Sequence, residues 1–250
     1  HAGEDVAADS VLFEAGHVLR PQDLAALASA GHGVVQCRAR LRVGVFSTGD
    51  EVVRTGQPLA EGQVYDANAP MIAELVATTG AEAEDLGILP DDATVVRQRL
   101  QEAAARFDVL ITSGGASKGE EDHVVRVLDD IGQRHLWQIA IKPGRPMSFG
   151  QIGDCVFIGL PGNPVAVFVC FLLYAWPMLR RLAGAHWPVP RVLLLPSHGA
   201  IAKKTGRREY WRGILRQEGG RLIVEKFDRD GSGLITSLRV ADGLIEAAED

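Results

Sequence analysis

The sequence predicts an α/β protein: a mostly parallel sheet with helices on both faces, followed by a small C-terminal β-barrel domain. Apolar strand-like runs alternate with amphipathic helical segments, and the connections between them are short. After about residue 187 the pattern changes to short strand candidates separated by Gly and Asp. We expect a remnant of a larger N-terminal domain over residues 1–40, an α/β domain over 41–187 and a β domain over 188–250.

Hydrophobic periodicity and turn residues place the individual elements. Strands of the α/β part are predicted over residues 42–46, 83–89, 109–111, 140–145, 147–149 and 155–158. Helices are predicted over residues 68–79, with Asn68 as the N-cap, and over 93–106, 124–131 and 165–179. The last of these is apolar but short for a membrane span, so we expect a buried helix or one at a subunit interface. The C-terminal strands are predicted over residues 191–195, 209–215, 221–226, 234–238 and 243–247.

Composition narrows the class of protein. The formal net charge of -6 over 250 residues gives no electrostatic reason to expect nucleic acid as a partner, and we expect no membrane association. The three cysteines are odd in number and share no metal-ligand spacing, which fits a reduced compartment better than a disulfide scaffold. The first residues also lack the apolar core of a signal peptide. The expected location is therefore the cytoplasm.

The most informative stretch is FDVLITSGGASKGEEDH, residues 107–123. A buried strand leads into the small residues Ser113, Gly114 and Gly115, whose backbone N–H groups can approach an anion closely because glycine has no side chain. Acids follow, ending at Asp122, and carboxylates can hold a divalent cation. The alternative is a tight strand-to-helix turn whose acids only favour the positive end of the helix dipole.

Other strand ends carry similar residues. Asp50 and Glu51 follow the first strand, Asp91 follows the second, and the loop Pro161-Gly162-Asn163-Pro164 follows the strand at 155–158. Because ligands of parallel sheets bind outside the carboxyl ends of the strands, we expect these residues to converge on one edge. The loop predicts a phosphate cradle with helix N–H groups available. The alternatives are a helix cap for Asp91 and a plain corner for the loop.

Cationic side chains complete the pattern. Lys142 and Arg145 lie in a turn stiffened by prolines and a glycine, which can direct them at an anion. A second basic group contains Arg207, and Ser232 lies between glycines farther along. The alternative for both groups is a solvated basic surface.

Seven motifs now occur in one order. They are FSTGDE at 46–51, GQVYDAN at 62–68, GILPDD at 87–92, TSGGASKGEEDH at 112–123, AIKPGRPMSFG at 140–150, GLPGNPVA at 159–166 and GRREYWRG at 206–213 with GSG at 231–233. This order resembles the molybdopterin molybdenumtransferases, the family of MoeA and the gephyrin E-domain. The resemblance covers nearly the whole chain and implies a molybdopterin-binding-like fold. It also implies Mg²⁺-dependent insertion of molybdate into adenylylated molybdopterin (molybdopterin-AMP) with release of AMP.

The resemblance also implies roles for individual residues. It assigns catalysis to Glu51, Asp91, Asp122 and Lys142, with the three acids as metal ligands. It assigns substrate contacts to Asp50, Ser113, Gly114, Gly115, Pro161, Gly162, Asn163, Pro164, Arg207 and Ser232. A phosphate-bearing substrate beside carboxylates needs a cation between them, since the like charges otherwise repel.

Partners follow from the same resemblance. It implies a small-molecule substrate, a homodimer in which the small domain of one subunit approaches the central cleft of the other, and the molybdopterin adenylyltransferase as a partner. One departure is Gln138, where many members carry a second lysine four residues before Lys142. Two alternatives therefore stay open: a non-catalytic molybdopterin-binding or scaffold module, and a molybdopterin adenylyltransferase.

Overall fold

A computed structural model of the chain describes residues 4–114, 123–203 and 205–248. Its strands are β1 Arg42–Thr48, β2 Val52–Val53, β3 Val64–Tyr65, β4 Glu82–Leu89, β5 Val109–Ser113, β6 Gln133–Trp137, β7 Ile141–Lys142, β8 Ser148–Ile152, β9 Cys155–Leu160, β10 Arg208–Glu218, β11 Arg221–Lys226 and β12 Gly243–Ala247. Its helices are α1 Pro21–Ser29, α2 Asn68–Ala77, α3 Ala93–Ala104, α4 His123–Ile131, α5 Pro164–Cys170, α6 Trp176–Leu182 and α7 Thr236–Val240. A π-helical turn, Phe171–Ala175, joins α5 to α6.

The central sheet has six strands in the order β4-β1-β5-β9-β8-β6. The first four are parallel, and β8 and β6 add two antiparallel pairs. Sequence analysis did not predict β6, because its sequence QRHLW is mostly polar and it lies at the sheet edge, where one-sided burial weakens the pattern. The predicted α/β class is confirmed, and the ends of three of the four parallel strands form part of the site described below.

Helices cover both faces of this sheet, as predicted. On one face, Ile72 of α2 and Val167 of α5 pack against Val43 and Ile111 of the sheet. On the other face, the helices α3 and α4 pack against Phe46, Leu110 and Phe157. Adjacent residues of β5 thus belong to opposite cores, which follows from the period of two in a strand. The sheet is therefore buried on both sides and gives a rigid base for the loops at its edge.

The apolar run after residue 163 forms the continuous helical segment Pro164–Leu182. It is long and apolar enough to span a membrane by length and composition, but core helices of soluble proteins meet the same criterion, and half of it is buried. Residues such as Phe171, Ala175 and Leu179 are fully buried in the core. This confirms the prediction of a buried helix.

The C-terminal part differs from the predicted barrel. Strands β10, β11 and β12 form a sheet in the order β11-β10-β12, and β7 of the preceding region pairs in parallel with β10. The strand predicted over residues 191–195 has no strand pairing, and that predicted over 234–238 is wrong because the short helix α7 forms there. Within the described residues the sheet is open, and its β7 pairing ties it to the α/β part. The division at residues 187/188 stays a prediction.

Two further details correct or limit the sequence analysis. Asn68 does not cap α2; the carboxylate of Asp66 accepts a hydrogen bond from the Ala69 amide at 3.0 Å instead. In the N-terminal part, the described residues 4–40 contain one helix, α1. Whether that part is the remnant of a larger domain stays a prediction.

Candidate functional site

Three parallel strands end side by side at one edge of the sheet. The hydroxyl of Thr48, the last residue of β1, donates to the carbonyl of Ser113 at 3.2 Å, and the Gly114 amide donates to the carbonyl of Leu160 at 3.1 Å. The Asn68 side chain reaches the same place, donating to the Gly162 carbonyl at 2.7 Å. The expected convergence of the ends of β1, β5 and β9 is therefore present.

Gly114 is required at this junction for two reasons. Its φ is +84°, a region that residues with a side chain rarely adopt. A Cβ at this position would lie 2.6 Å from the Thr48 hydroxyl oxygen and 3.0 Å from the Thr48 carbonyl oxygen. The small-residue loop thus lets the ends of β1 and β5 lie in contact, in addition to any role in binding an anion. Gly115 falls outside the described residues.

A cleft of about 1100 Å³ opens at this edge. One side, which we call the strand-end wall, comprises residues 47–49, 51, 66–68, 113–114 and 161–164. A second group of lining residues, which we call the cation wall, comprises Lys142 to Pro146, Arg207, Tyr210 to Arg212 and Asp230 to Gly233. Both walls come from the same chain, in which Lys142, Arg207 and Ser232 line one cleft. The expected homodimer, in which the small domain of one subunit approaches the cleft of the other, stays a prediction.

The cation wall is organised around Glu209. Its carboxylate is 2% exposed and receives Lys142 Nζ at 3.2 Å on one oxygen and Arg207 Nε at 3.3 Å on the other. Burial by itself raises the pKa of Glu209, but the hydrogen bonds from Lys142 and Arg207 outweigh it, so the pKa lies below the ordinary value. Glu209 is therefore ionised at neutral pH.

A second buried charge holds the loop that carries Ser232. The guanidinium of Arg212, 5% exposed, donates to the Ser237 hydroxyl at 3.0 Å and to the carbonyls of Arg229 at 2.9 Å and Gly231 at 3.4 Å. Burial lowers the pKa of Arg212, yet a guanidinium stays charged under all ordinary conditions. The loop of residues 229–233 is thus fixed from beneath by a cation.

The same loop changes the expectation for the Pro161–Pro164 segment. The Val165 amide, which would be available to a phosphate at the start of α5, donates to the carbonyl of Ser232 at 2.9 Å. Pro164 has no N–H, and the Val167 amide bonds within the helix. The predicted cradle of free helix amides is therefore wrong for Val165, although residues 161–164 line the cleft as expected.

The predicted acidic residues differ in whether they line the cleft. Glu51 lines the cleft, and within the described parts of the chain its carboxylate forms no ion pair. Asp50 and Asp91 do not line the cleft, and Asp91 contacts His123 at 3.3 Å, the residue that follows Asp122 in sequence. The helix cap proposed for Asp91 is provided by Asp92 instead, whose Oδ1 accepts from two amides of α3. Asp122 lies outside the described residues.

Other predicted contact residues are easier to place. The residues that line the cleft are Glu51, Ser113, Gly114, Lys142, Pro161, Gly162, Asn163, Pro164, Arg207 and Ser232. Arg145 lines it as well, whereas Gln138 does not. The amide at position 138 thus does not stand where an anion in the cleft would contact it in this structure.

Sequence reasoning missed Glu209, Arg212 and Asp66. Asp66 is 5% exposed and accepts from the Ser47 hydroxyl at 2.6 Å and from Arg54 at 3.1 Å, besides capping α2. The signal for Asp66 was available, since an Asp before a helix is a favoured cap. Glu209 and Arg212 lie in a strand sequence with no signal of their own, and only the pairing of β7 with β10 brings Glu209 to Lys142.

Among the described residues, no group of three His, Cys, Asp or Glu side chains could hold a metal ion. Mg²⁺ commonly uses one or two carboxylates together with substrate phosphates, so Glu51 fits one ligand position facing the cleft. The metal roles of Glu51, Asp91 and Asp122 stay predictions.

Comparison with known proteins gives a consistent assignment. The family described as "Probable molybdopterin binding domain" matches residues 44–181, and the family described as "MoeA C-terminal region (domain IV)" matches residues 195–250. A molybdopterin molybdenumtransferase of Haemophilus influenzae is 40% identical over 94% of this chain and 59% of its own length. One of Nostoc sp. is 35% identical over 85% of this chain and 52% of its own length.

Solved structures agree with these sequence matches. A molybdopterin biosynthesis MoeA protein of Pyrococcus horikoshii matches with a TM-score of 0.79 and 28% identity, over 99% of this chain and 59% of that protein. The chain thus spans between 52% and 59% of the length of these three relatives. Two consecutive domain matches, a shared fold and up to 40% identity lead to one conclusion. The chain belongs to the MoeA family of molybdenum cofactor biosynthesis proteins.

Proposed function

We propose that the chain inserts molybdate into adenylylated molybdopterin and releases AMP. The observation that carries the proposal is the cleft of about 1100 Å³, which is lined both by Lys142, Arg145 and Arg207 and by the ends of three parallel strands. Such a volume accommodates a substrate of the size of a nucleotide conjugate. The names of the relatives, molybdopterin molybdenumtransferases, support this reaction for the full-length proteins.

The residues of the two walls have separate tasks in this proposal. On the cation wall, Lys142 and Arg207 bind the phosphate oxygens and molybdate, both of which are anions. On the strand-end wall, the Ser113 and Gly114 backbone and the 161–164 loop orient the substrate. Glu51, Asp91 and Asp122 would hold Mg²⁺; of these, Glu51 lines the cleft and Asp91 contacts His123, the residue after Asp122 in sequence. When bound, Mg²⁺ would neutralise and polarise the pyrophosphate.

The proposal also includes a cellular compartment and an oligomeric state. We propose a cytoplasmic homodimer that receives its substrate from the molybdopterin adenylyltransferase. The reduced cysteines are compatible with this compartment, and Cys155 and Cys170 are buried thiols without a disulfide. Size-exclusion chromatography with light scattering measures the assembly state directly.

The test is AMP release from purified chain, molybdopterin-AMP, molybdate and Mg²⁺, followed by mass spectrometry. We expect AMP in proportion to enzyme turnover, and loss of release in Asp122→Ala with an unchanged circular dichroism spectrum. Lys142→Ala should lower kcat/KM about 100-fold, the effect of removing one preorganised charged donor. Lys203→Ala is the matched control, because Lys203 contacts the Ala248 carbonyl and does not line the cleft.

The outcome also separates the alternatives. Binding of molybdopterin-AMP without AMP release would favour the non-catalytic binding module. Consumption of ATP with free molybdopterin would favour the adenylyltransferase. The match of residues 195–250 to the MoeA C-terminal region supports the molybdenum insertion reaction over the latter.

A further inference from the structure

We propose that Glu209 is a positioning residue that holds Lys142 and Arg207 side by side as one subsite for a multi-oxygen anion. The inference deepens the proposed function and rests on it for the identity of the substrate. The contacts that carry it involve a residue to which the sequence motifs assigned no role. The anion class is a phosphate, a pyrophosphate or a tetrahedral oxyanion.

The backbone of Glu209 is fixed on both sides. In the C-terminal sheet, Glu209 pairs with Ala247 of β12, and on the other side of β10 it pairs in parallel with Lys142 of β7. A strand residue held by two neighbours has little freedom to move. The carboxylate therefore starts from a rigid position directly beside Lys142.

The side chain of Glu209 divides its two oxygens between two cations. Lys142 Nζ contacts Oε2 and Arg207 Nε contacts Oε1, at 3.2 Å and 3.3 Å. Two cations so close would repel each other and separate without a negative charge between them. With Glu209 buried beneath them, both cations are held at one place on the cation wall.

The two cations nevertheless remain able to bind a ligand. Their side chains are 44% and 37% exposed, and both line the cleft, whereas Glu209 does not. An ammonium group has three donors and a guanidinium has five, and each uses one on Glu209. The remaining donors can bind an anion that offers several oxygens in different directions, which is the geometry of a phosphate or molybdate group.

The variant Glu209→Gln tests the proposal, because the two possible roles of Glu209 predict opposite changes in anion affinity. If Glu209 only reduces the positive charge of the cleft, its neutralisation removes repulsion and tightens anion binding. If Glu209 positions the cations, its neutralisation leaves a side-chain amide whose NH₂ group faces a cation, and binding weakens. We expect at least a tenfold loss of affinity for inorganic pyrophosphate, measured by calorimetry without metal.

The matched control is Glu246→Gln. Glu246 lies on the neighbouring strand β12 and forms an ion pair at 3.0 Å with Arg208 of β10. Neither residue lines the cleft. We expect this variant to bind pyrophosphate within twofold of the unaltered chain. Unchanged or tighter binding in Glu209→Gln, or an equal loss in both variants, overturns the proposal.

Two further variants keep the test decisive. Glu209→Asp retains the charge but is one methylene shorter, so we expect a loss of pyrophosphate affinity between those of the unaltered chain and Glu209→Gln. If Glu209→Gln fails to fold, full pyrophosphate affinity in Glu209→Asp overturns the proposal. The double variant Lys142→Ala/Glu209→Gln tests whether the two residues act together. Its loss of binding free energy for pyrophosphate should be smaller than the sum of the losses in the two single variants, because Glu209 acts through Lys142. Additive losses would show that Glu209 acts elsewhere and would overturn the proposal.

The result is independent of turnover. A chain that releases no AMP but loses pyrophosphate affinity in Glu209→Gln contradicts the proposed reaction and supports the positioning role. A chain that releases AMP and binds pyrophosphate equally well in both forms supports the reaction and overturns the positioning role.

Discussion

The two walls of the cleft are built by different physical means. The strand-end wall follows from the parallel sheet: β1, β5 and β9 end together, and backbone contacts such as Gly114 N–H to the Leu160 carbonyl lock them. The cation wall depends on side chains, with Glu209 buried beneath Lys142 and Arg207, and Arg212 beneath the 229–233 loop. One wall therefore depends on the sheet topology, and the other depends on a few buried charges.

The largest effect on stability is expected at the buried anchor of the strand-end wall. Asp66→Ala should lower the free energy of unfolding by about 3 kcal/mol, because it leaves the Ser47 hydroxyl and the Ala69 amide without their acceptor and removes one of the two carboxylates that pair with Arg54. Urea denaturation followed by circular dichroism measures this. The exposed cap Asp92 provides the control, where the Ala variant should cost only about 1 kcal/mol. Equal losses would mean that Asp66 acts as a cap alone.

The matching anchor of the cation wall is Arg212. Arg212→Lys should lower the free energy of unfolding by about 2 kcal/mol, because a lysine cannot reach two carbonyls and the Ser237 hydroxyl together. It should also weaken pyrophosphate binding, since the loop with Ser232 loses its support. For Arg97→Lys, whose surface pair with Asp130 is exposed, we expect less than about 0.5 kcal/mol. A stable Arg212→Lys chain would show that the loop is held by other contacts.

The substitution of Gly114 tests the contact between the ends of β1 and β5. Gly114→Ala and Gly153→Ala both place a side chain at positive φ, which costs about 1 to 2 kcal/mol. Only Gly114 adds a clash with Thr48, since a Cβ at Gly153 would meet no heavy atom within 4 Å. We therefore expect Gly114→Ala to be less stable than Gly153→Ala by about 1 kcal/mol in the same denaturation assay. No difference between the two would mean that the strand ends can separate without cost.

The smallest expected effect is the pH dependence of the cation wall. The pKa of Glu209 lies below its usual value of 4.5 because its contacts with Lys142 and Arg207 outweigh the effect of burial. A carboxyl group with a lowered pKa stabilises the fold above its unfolded pKa, and this contribution is lost as the pH falls through the folded pKa. The difference in unfolding free energy between the unaltered chain and Glu209→Gln should thus be constant at neutral pH and decrease below about pH 4.5. A difference that grows on acidification would contradict the assignment.

Much of the α/β part could be predicted because its signals are local. Runs such as residues 109–111 are apolar throughout, and the helix stop at Gly132 and the buried run after residue 163 are visible in a single sequence. The strand-end loops then follow from the rule that parallel strands end together. The errors fall where the signals are weak: the polar edge strand β6, and the segment 234–238, whose residue types suit a strand although it forms a helical turn.

In the candidate site as well, residues with a local signal could be predicted and contacts between distant segments could not. Lys142, Arg207 and Ser232 were recognised one by one from the motifs they stand in, but no sequence feature joins positions 142 and 209. Their contact depends on the parallel pairing of β7 with β10, two strands separated by more than sixty residues.

The class of fold, the strand-end loops and the cleft residues Glu51, Lys142, Arg145 and Arg207 could be recognised from the sequence, because hydrophobic periodicity and turn chemistry act over a few neighbouring residues. That residues of the C-terminal sheet line the cleft, and that a buried carboxylate lies beneath two of its cations, is visible in the folded chain alone. Such contacts between distant segments depend on the packing of the whole chain, and no local pattern encodes them.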